Sequence, residues 1–208
     1  MHPFFYVLNP NTHNRKYTKQ MKMITIRKGK TTDAPFIASM IMQALHIEKE
    51  HNTELYQHII EFAEREDTLY SWHRCYIATD NNVCVGLCLA YDAKDYHTRR
   101  VKTFTMKCRD GKSVCQYNKS LLEQEDEAGE GEYYIDSLAV VSSYRGHGIG
   151  KQLLSHAVKE ADNLGLRPTL LVDPANTNAI KLYTALGFKY EHEQFAFGQI
   201  YHKYSITQ

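Results

Sequence analysis

A chain of 208 residues with 43% hydrophobic, 12% aromatic and 24% charged side chains has a globular composition, which excludes a largely disordered protein. Its 25 basic residues against 24 acidic ones leave a formal charge of +1, so no bulk attraction to nucleic acid or to an anionic membrane is expected. The longest apolar run, Val83 to Tyr91, covers nine residues where a membrane-spanning helix needs about 20.

In chain order, residues 1–22 read as an N-terminal extension, and 23–208 as one domain. The first stretch mixes Pro3, Pro10, several Asn and the basic Arg15, Lys16, Lys19 and Lys22 without sustained periodicity. Phe4-Phe5-Tyr6-Val7-Leu8 is too short for a signal-peptide core. Met21 and Met23 precede the first credible strand, Ile24–Arg27, so either an upstream start or a docking arm would explain the extension. Thr31-Thr32-Asp33 offers a cap to a helix whose buried stripe is Ala34, Ile37, Ala38, Ile41 and Ala44.

A second helix is predicted from Glu54 to Glu64, with Leu55, Ile59, Ile60 and Ala63 inward. Strands at Cys75–Thr79 and Val83–Tyr91 flank Asp80-Asn81-Asn82, a hairpin signal because Asp and Asn tolerate positive φ. Cys84 and Cys88 share strand parity and read as buried free thiols. Five cysteines (75, 84, 88, 108 and 115) with no Cys-x-x-Cys pair suggest reduced thiols and a cytoplasmic location. Residues 92–132 run from basic (Arg99, Arg100, Lys102, Lys107, Arg109) to acidic (Glu123, Glu125, Asp126, Glu127, Glu130, Glu132). They read as a solvated helix and loop or, alternatively, as an acidic wall near a cationic substrate. His46, His51 and His58 have irregular separations and no nearby Cys, so they read as a solvated face and not as metal ligands.

Tyr133–Val141 reads as a strand feeding the glycine-dense turn Arg145-Gly146-His147-Gly148-Ile149-Gly150. The next helix carries Leu153, Leu154, Ala157, Val158, Ala161 and Leu164 on one stripe and ends at Gly165. Thr169–Val172 is a strand and Asn178–Leu186 a short helix ended by Gly187. Phe188–Glu191 and Ile200–Ile206 are closing strands. The scattered Tyr190, Phe195, Phe197, Tyr201 and Tyr204 look like strand packing, with some able to line a pocket.

A strand–glycine turn–helix presents free N–H groups at a positive helix end, which favours phosphate; a tight connection with no ligand is the plain alternative. A P-loop is excluded, since Arg145 stands where its first Gly belongs and Lys151 is followed by Gln152. The dinucleotide fingerprint fails as well, because Gly146, Gly148 and Gly150 are spaced one residue too tightly.

Arg145 to Gly150 resembles the Arg/Gln-x-x-Gly-x-Gly/Ala signature of the GNAT N-acetyltransferase superfamily. Asn176-Thr177-Asn178-Ala179-Ile180-Lys181-Leu182-Tyr183-Thr184-Ala185-Leu186-Gly187-Phe188 is similar to that family's second motif, and the resemblance is firm over about residues 133–190. It implies an α/β fold of GNAT type, a mixed twisted central sheet with helices on both faces. It also implies acetyl-CoA as cosubstrate, no metal, and transfer to an amine on a small molecule or a protein. A homodimer is left open, and neither nucleic acid nor membrane is implied as a partner. By the same resemblance, Leu138, Ala139 and Val140 would pair with the pantetheine arm. Gly146, His147, Gly148, Ile149, Gly150 and Lys151 would hold the pyrophosphate with Arg145, and Asn176 would contact the cofactor. His147 reads as a solvent-facing filler, and Asn176 equally as a helix cap.

Acetyl transfer to an amine needs a base for the ammonium, a donor to the oxyanion and a proton for the leaving thiolate. The resemblance implies a bulged strand whose freed N–H, assigned to Leu138, is the oxyanion donor. It makes Tyr183 the acid; a core tyrosine with a backbone-bonded hydroxyl is the alternative. Asp136, grouped by parity with Tyr134 and Leu138 before any bulge, is the candidate base, or else orients a water or binds the amine. Some members carry a Glu near the position of Tyr134, a departure here, and Glu132 is a further candidate. The reading from another class is a non-catalytic acyl-CoA-binding module.

Overall fold

The structure is a computed structural model that describes residues 23–116 and 118–207; the expected extension, 1–22, lies outside the described residues. Seven strands form: β1 (Ile24–Lys28), β2 (Cys75–Asp80), β3 (Val83–Asp92), β4 (Glu132–Val140) and β5 (Arg167–Val172), rich in apolar and β-branched residues, and the more polar β6 (Lys189–Ala196) and β7 (Gln199–Ser205). The helices are α1 (Ala34–Ala44), α2 (Thr53–Glu64), α3 (Tyr96–Thr105), α4 (Ser120–Glu123), α5 (Ile149–Leu164) and α6 (Thr177–Thr184). One sheet orders the strands β1-β2-β3-β4-β5-β7-β6. Every neighbouring pair is antiparallel except β4–β5. The helical periods place α1 and α2 on one face, where Ile37, Ile41, Ile59 and Phe62 pack against Ile77, Leu87 and Leu89. On the other face, Leu153, Leu154 and Ala157 of α5 pack against Val85, Cys88 and Ile135. Each buried Val, Leu, Ile or Phe among them contributes about 1.5–3 kcal/mol by burial. Among the described residues no helix is long and apolar enough to cross a membrane.

The predicted hairpin is present, with Asn81 and Asn82 at φ 48° and 67°. Its strands are not regular, however. Ala78 pairs with Gly86 but Thr79 with Cys84, which leaves Val85 as an extra residue in β3. The bulge reverses the alternation, so Cys84 packs on the α1–α2 face and Cys88 on the α5 face, contrary to their predicted shared side. All five cysteines are free thiols. The fully buried residues of α2 are Tyr56, His58, Ile59, Phe62 and Ala63, while the expected Leu55 and Ile60 are half-buried and pack against the same core.

A second bulge shapes the centre of the sheet. Leu89 pairs with Ser137 but Ala90 with Ile135, so Asp136 is the extra residue of β4. Tyr134 therefore joins the α1–α2 face and Leu138 the α5 face, which separates two residues that unbroken parity would have grouped. Just beyond this point the parallel pairing stops. β4 and β5 pair only from Glu132–Arg167 to Ile135–Leu170, while Leu171 and Val172 pair with β7. The sheet thus splays at its middle.

Gly29 after β1 tests the packing at the other end of the sheet. A Cβ there would lie 2.3 Å from the Trp72 carbonyl oxygen, a backbone atom that cannot swing aside. Gly29→Ala is expected to destabilise the protein by about 1–3 kcal/mol, seen as a lower urea midpoint with unchanged slope.

Candidate active site

The splay opens a cavity of about 1090 Å³ between β4 and β5. Val141 donates its N–H to the Val85 carbonyl at 3.0 Å. Alternation therefore turns the N–H of Ala139 toward β3 and those of Leu138 and Val140 into the gap. Leu138 and Val140 line the cavity. Ala139, also expected there, is instead packed in the core on the α1–α2 face.

The glycine turn forms one end of this cavity. Gly146 and Gly148 both have φ 76°, a conformation costly to other residues, and Gly148 is the N-cap of α5. Gln152 makes the first helical bond, to the Gly148 carbonyl at 3.1 Å. The N–H groups of Ile149, Gly150 and Lys151 thus have no partner within the helix. Arg145, Gly146, Gly148, Ile149, Gly150 and Lys151 all border the cavity. The Arg145 Nε donates to the Val140 carbonyl at 3.1 Å, which ties the turn to the end of β4. His147 is exposed and its Nδ1 lies 2.9 Å from the Arg145 carbonyl, so its ring closes the turn and does not border the cavity. Asn176 serves twice. Its Oδ1 caps α6 by accepting the Ala179 N–H at 3.1 Å, and its side chain lines the cavity wall.

Tyr183, on α6, lies across the gap with its ring 6.0 Å from that of Phe188. Burial, helped by the nearby Cys88 thiol, pushes its phenol well up, so it keeps its proton at any ordinary pH. A core tyrosine would bond its hydroxyl to backbone. No hydrogen bond of Tyr183 is found among the described residues, which leaves the hydroxyl available to a ligand.

Asp136 borders the cavity from the bulge. It accepts the Tyr91 hydroxyl at 2.7 Å and the Ser137 hydroxyl at 2.9 Å. Burial raises its pKa against those two donors. Glu127 faces the same space; it is buried and accepts the hydroxyls of Tyr96, at 2.6 Å, and Tyr134. Burial first, then the charge of Asp136, pushes Glu127 up to about 7. Two carboxyls that repel each other titrate as a pair, and a proton acceptor poised near neutrality is the result.

Sequence reasoning did not single out Glu127, which stood only as one acid in a run. Its position depends on Arg100, predicted as solvated and found 1% exposed. The Arg100 guanidinium donates to the carbonyls of Gln124 and Glu125 at 2.8 and 2.9 Å, and Lys203 Nζ donates to the Glu127 carbonyl at 3.1 Å. A signal was present: Tyr96, Arg100 and Phe104 recur at four-residue spacing, and all three are buried. Glu132 belongs elsewhere. It is bound by Arg167 at 2.7 Å and Lys203 at 2.9 Å and serves a structural ion-pair network. His58 departs from the predicted solvated face, being buried and bonded to Asp110 at 2.8 Å. The ligand atoms of Glu54, His58 and Asp110 lie within 4.8 Å of one another, with the Lys112 ammonium 2.8 Å from Glu54.

A family model described as the acetyltransferase (GNAT) family matches residues 40–188. Among solved structures, an N-acetyltransferase from Staphylococcus aureus Mu50 is similar, with TM-score 0.75 and 21% identity over 88% of this chain and 100% of that one. The ribosomal-protein-S18-alanine N-acetyltransferase from Escherichia coli matches with TM-score 0.54 and 18% identity, covering 88% of this chain and 93% of that one. A chain of the NatC complex bound to Gag peptide and CoA matches with TM-score 0.52 and 17% identity, over 89% and 98% of the two chains. No curated protein matches the chain.

Proposed function

We propose, from the premise that this chain belongs to the acetyltransferase (GNAT) family, that it transfers an acetyl group from acetyl-CoA to an amine by direct attack. The observation that carries this reading is the splay at Asp136. It runs the outward N–H groups of Leu138 and Val140 into the open helix end at Gly148, with Tyr183 on one wall and the carboxyl pair on another. The residues present fit acetyl-CoA. A Cβ at Gly146 or Gly148 would meet nothing within 4 Å, so the nest of N–H groups opens on space that a pyrophosphate can fill. Arg145 and Lys151 would add charge there, and the β4 edge would pair with the pantetheine amides.

When bound, acetyl-CoA supplies an activated thioester carbonyl. The chain's own groups then do the rest. Asp136, coupled to Glu127, takes the proton of the incoming ammonium. The Leu138 N–H faces the oxygen on which negative charge develops. The Tyr183 hydroxyl gives its proton to the departing sulfur. No enzyme nucleophile is required, and acceptor and donor meet in one ternary complex.

Gly148→Asp tests the phosphate assignment. Aspartate tolerates positive φ better than most residues and is a good N-cap, so the fold should hold. Its charge would stand against the pyrophosphate, and acetyl-CoA affinity is expected to fall about ten- to hundredfold, with the uncharged Gly148→Asn losing less. Calorimetry showing undiminished affinity in folded Gly148→Asp would remove the assignment. Release of free thiol from acetyl-CoA that depends on an added amine separates an enzyme from a binding module.

A further inference from the structure

The cavity is electrically lopsided. Among the described residues the basic side chains lining it are Arg145 and Lys151 at the glycine turn and the exposed His46 beyond the end of α1. The opposite end holds Glu127 and Asp136 among the rings of Tyr70, Tyr96 and Tyr134. The Tyr96 and Tyr134 rings stand edge to face at 5.9 Å, and Tyr91 and Tyr134 at 6.1 Å. The nearby basic side chains do not neutralise this end from inside the cavity. Arg74 stacks on the Tyr91 ring at 4.9 Å, Arg100 is bound to two backbone carbonyls and to Asp126 at 3.1 Å and acts on Glu127 only through its charge, and Lys203 holds Glu132. An external cation is what the box lacks.

Beyond the carboxyl pair the walls turn mainly apolar, with Gln199, Asn52 and His58 among the polar side chains. Tyr70, Phe104, Phe197 and Tyr201 are shared with a second cavity of about 690 Å³, which continues along Ile47, Leu55, Ile59 and Phe62. The acid in that second cavity, Glu54, is already held by Lys112 at 2.8 Å. Asp173 lies at the end of β5 beside Asn176, with one oxygen accepting the Ala175 N–H at 2.8 Å.

Resting on the acetyl-transfer reading above, we infer that the acceptor is a hydrophobic monoamine: a single ammonium, with no carboxylate near it, on an apolar or aromatic body. The ammonium meets the carboxyl pair, which the hydroxyls of Tyr91, Tyr96 and Tyr134 already hold in place, and the charge-assisted contact favours a cation. A neighbouring carboxylate, as in a free amino acid, would be repelled by the same pair. Further ammonium groups, as in a polyamine, would be buried against rings with no counter-charge to offset their desolvation.

The test compares phenethylamine, phenylalanine and spermidine as acceptors for the full-length wild-type protein, following thiol release from acetyl-CoA. The expected kcat/KM for phenethylamine exceeds that of each of the others by about tenfold or more, the ratio that a modest charge penalty produces. Equal or better use of phenylalanine or spermidine overturns the inference while leaving the acetyl-transfer reading standing. Glu127→Gln, if folded by its melting curve, should bring phenylalanine to within about threefold of phenethylamine by removing the repulsion; an unchanged gap counts against the box. If no amine is acetylated, the acetyl-transfer reading fails separately. Calorimetric binding to the CoA-loaded protein then decides the ligand class, since tighter phenethylamine supports it and no preference overturns it.

Discussion

Asp136→Asn is expected to lower turnover at pH 7 by about 10²–10⁴-fold, the range typical of a lost general base. The geometry makes the change nearly isosteric, because an amide oxygen still accepts the Tyr91 hydroxyl now 2.7 Å from the carboxylate. The carboxylate's charge and proton-accepting capacity are removed, and the Ser137 hydroxyl turns to accept from the new amide. The pH dependence follows from the raised pKa of the pair. In wild-type protein the working form of Asp136 is the carboxylate, so activity should fall as pH drops through its raised pKa, while Glu127, the other member of the pair, takes up its proton at about 7. In the variant the rate should follow the fraction of acceptor already present as free amine, which rises tenfold per pH unit below an alkylamine pKa of about 10. The deficit should therefore be largest at low pH and shrink toward pH 10. Rate profiles of the two proteins with one acceptor check this, and a deficit independent of pH would assign Asp136 to binding the amine instead.

What was legible in the sequence and what was not divide along a physical line. The turn at residues 145–150 and the helix after it follow local rules. Glycines at φ 76° and a stripe at Leu153, Leu154 and Ala157 are dictated by neighbours a few residues away. Gly165, the predicted stop, is indeed the left-handed cap of α5. A bulge obeys no such rule. Nothing in Tyr134-Ile135-Asp136-Ser137-Leu138 marks which residue will be left over, since the choice depends on how β3 and β4 align across the sheet. Cys84 and Cys88 were misassigned to one face for the same reason. β6 runs to Ala196, five residues beyond the predicted Glu191, because an edge strand with both faces largely exposed shows no clean alternation.

The acidic segment carries a further lesson. Of the acids at 123–132, Asp126 pairs with Arg100 and Glu132 with Arg167 and Lys203, while Glu127 reaches the cavity. Composition sees these residues as equivalent. Their burial, and therefore their charge state, is decided by partners 25 to 76 positions away, Arg100 and Lys203. The raised pKa of Glu127 exists only because the clamp on its backbone holds it out of water beside a second carboxyl.

Tyr183→Phe keeps the ring, its contact with Phe188 and nearly all of its buried surface, so the melting temperature should scarcely move. The hydroxyl has no protein partner among the described residues, and its removal therefore orphans no buried group. Acetyl-CoA affinity should also hold, because an interaction formed mainly as the carbon–sulfur bond breaks adds little to ground-state binding. Turnover should nevertheless fall by roughly 10–10⁴-fold, the upper part being typical of lost general-acid help. Burial makes Tyr183 a weaker acid than a phenol in water. With the cavity filled by acetyl-CoA, the same desolvation would also raise the proton affinity of the thiolate leaving beside it. Donor and acceptor shift together, and the transfer stays feasible where a solvated tyrosine would gain nothing over water. Single-turnover rates with saturating acetyl-CoA and a good acceptor separate this step from binding. Wild-type rates in the Phe variant would return Tyr183 to a packing role and leave the thiolate to be protonated by solvent.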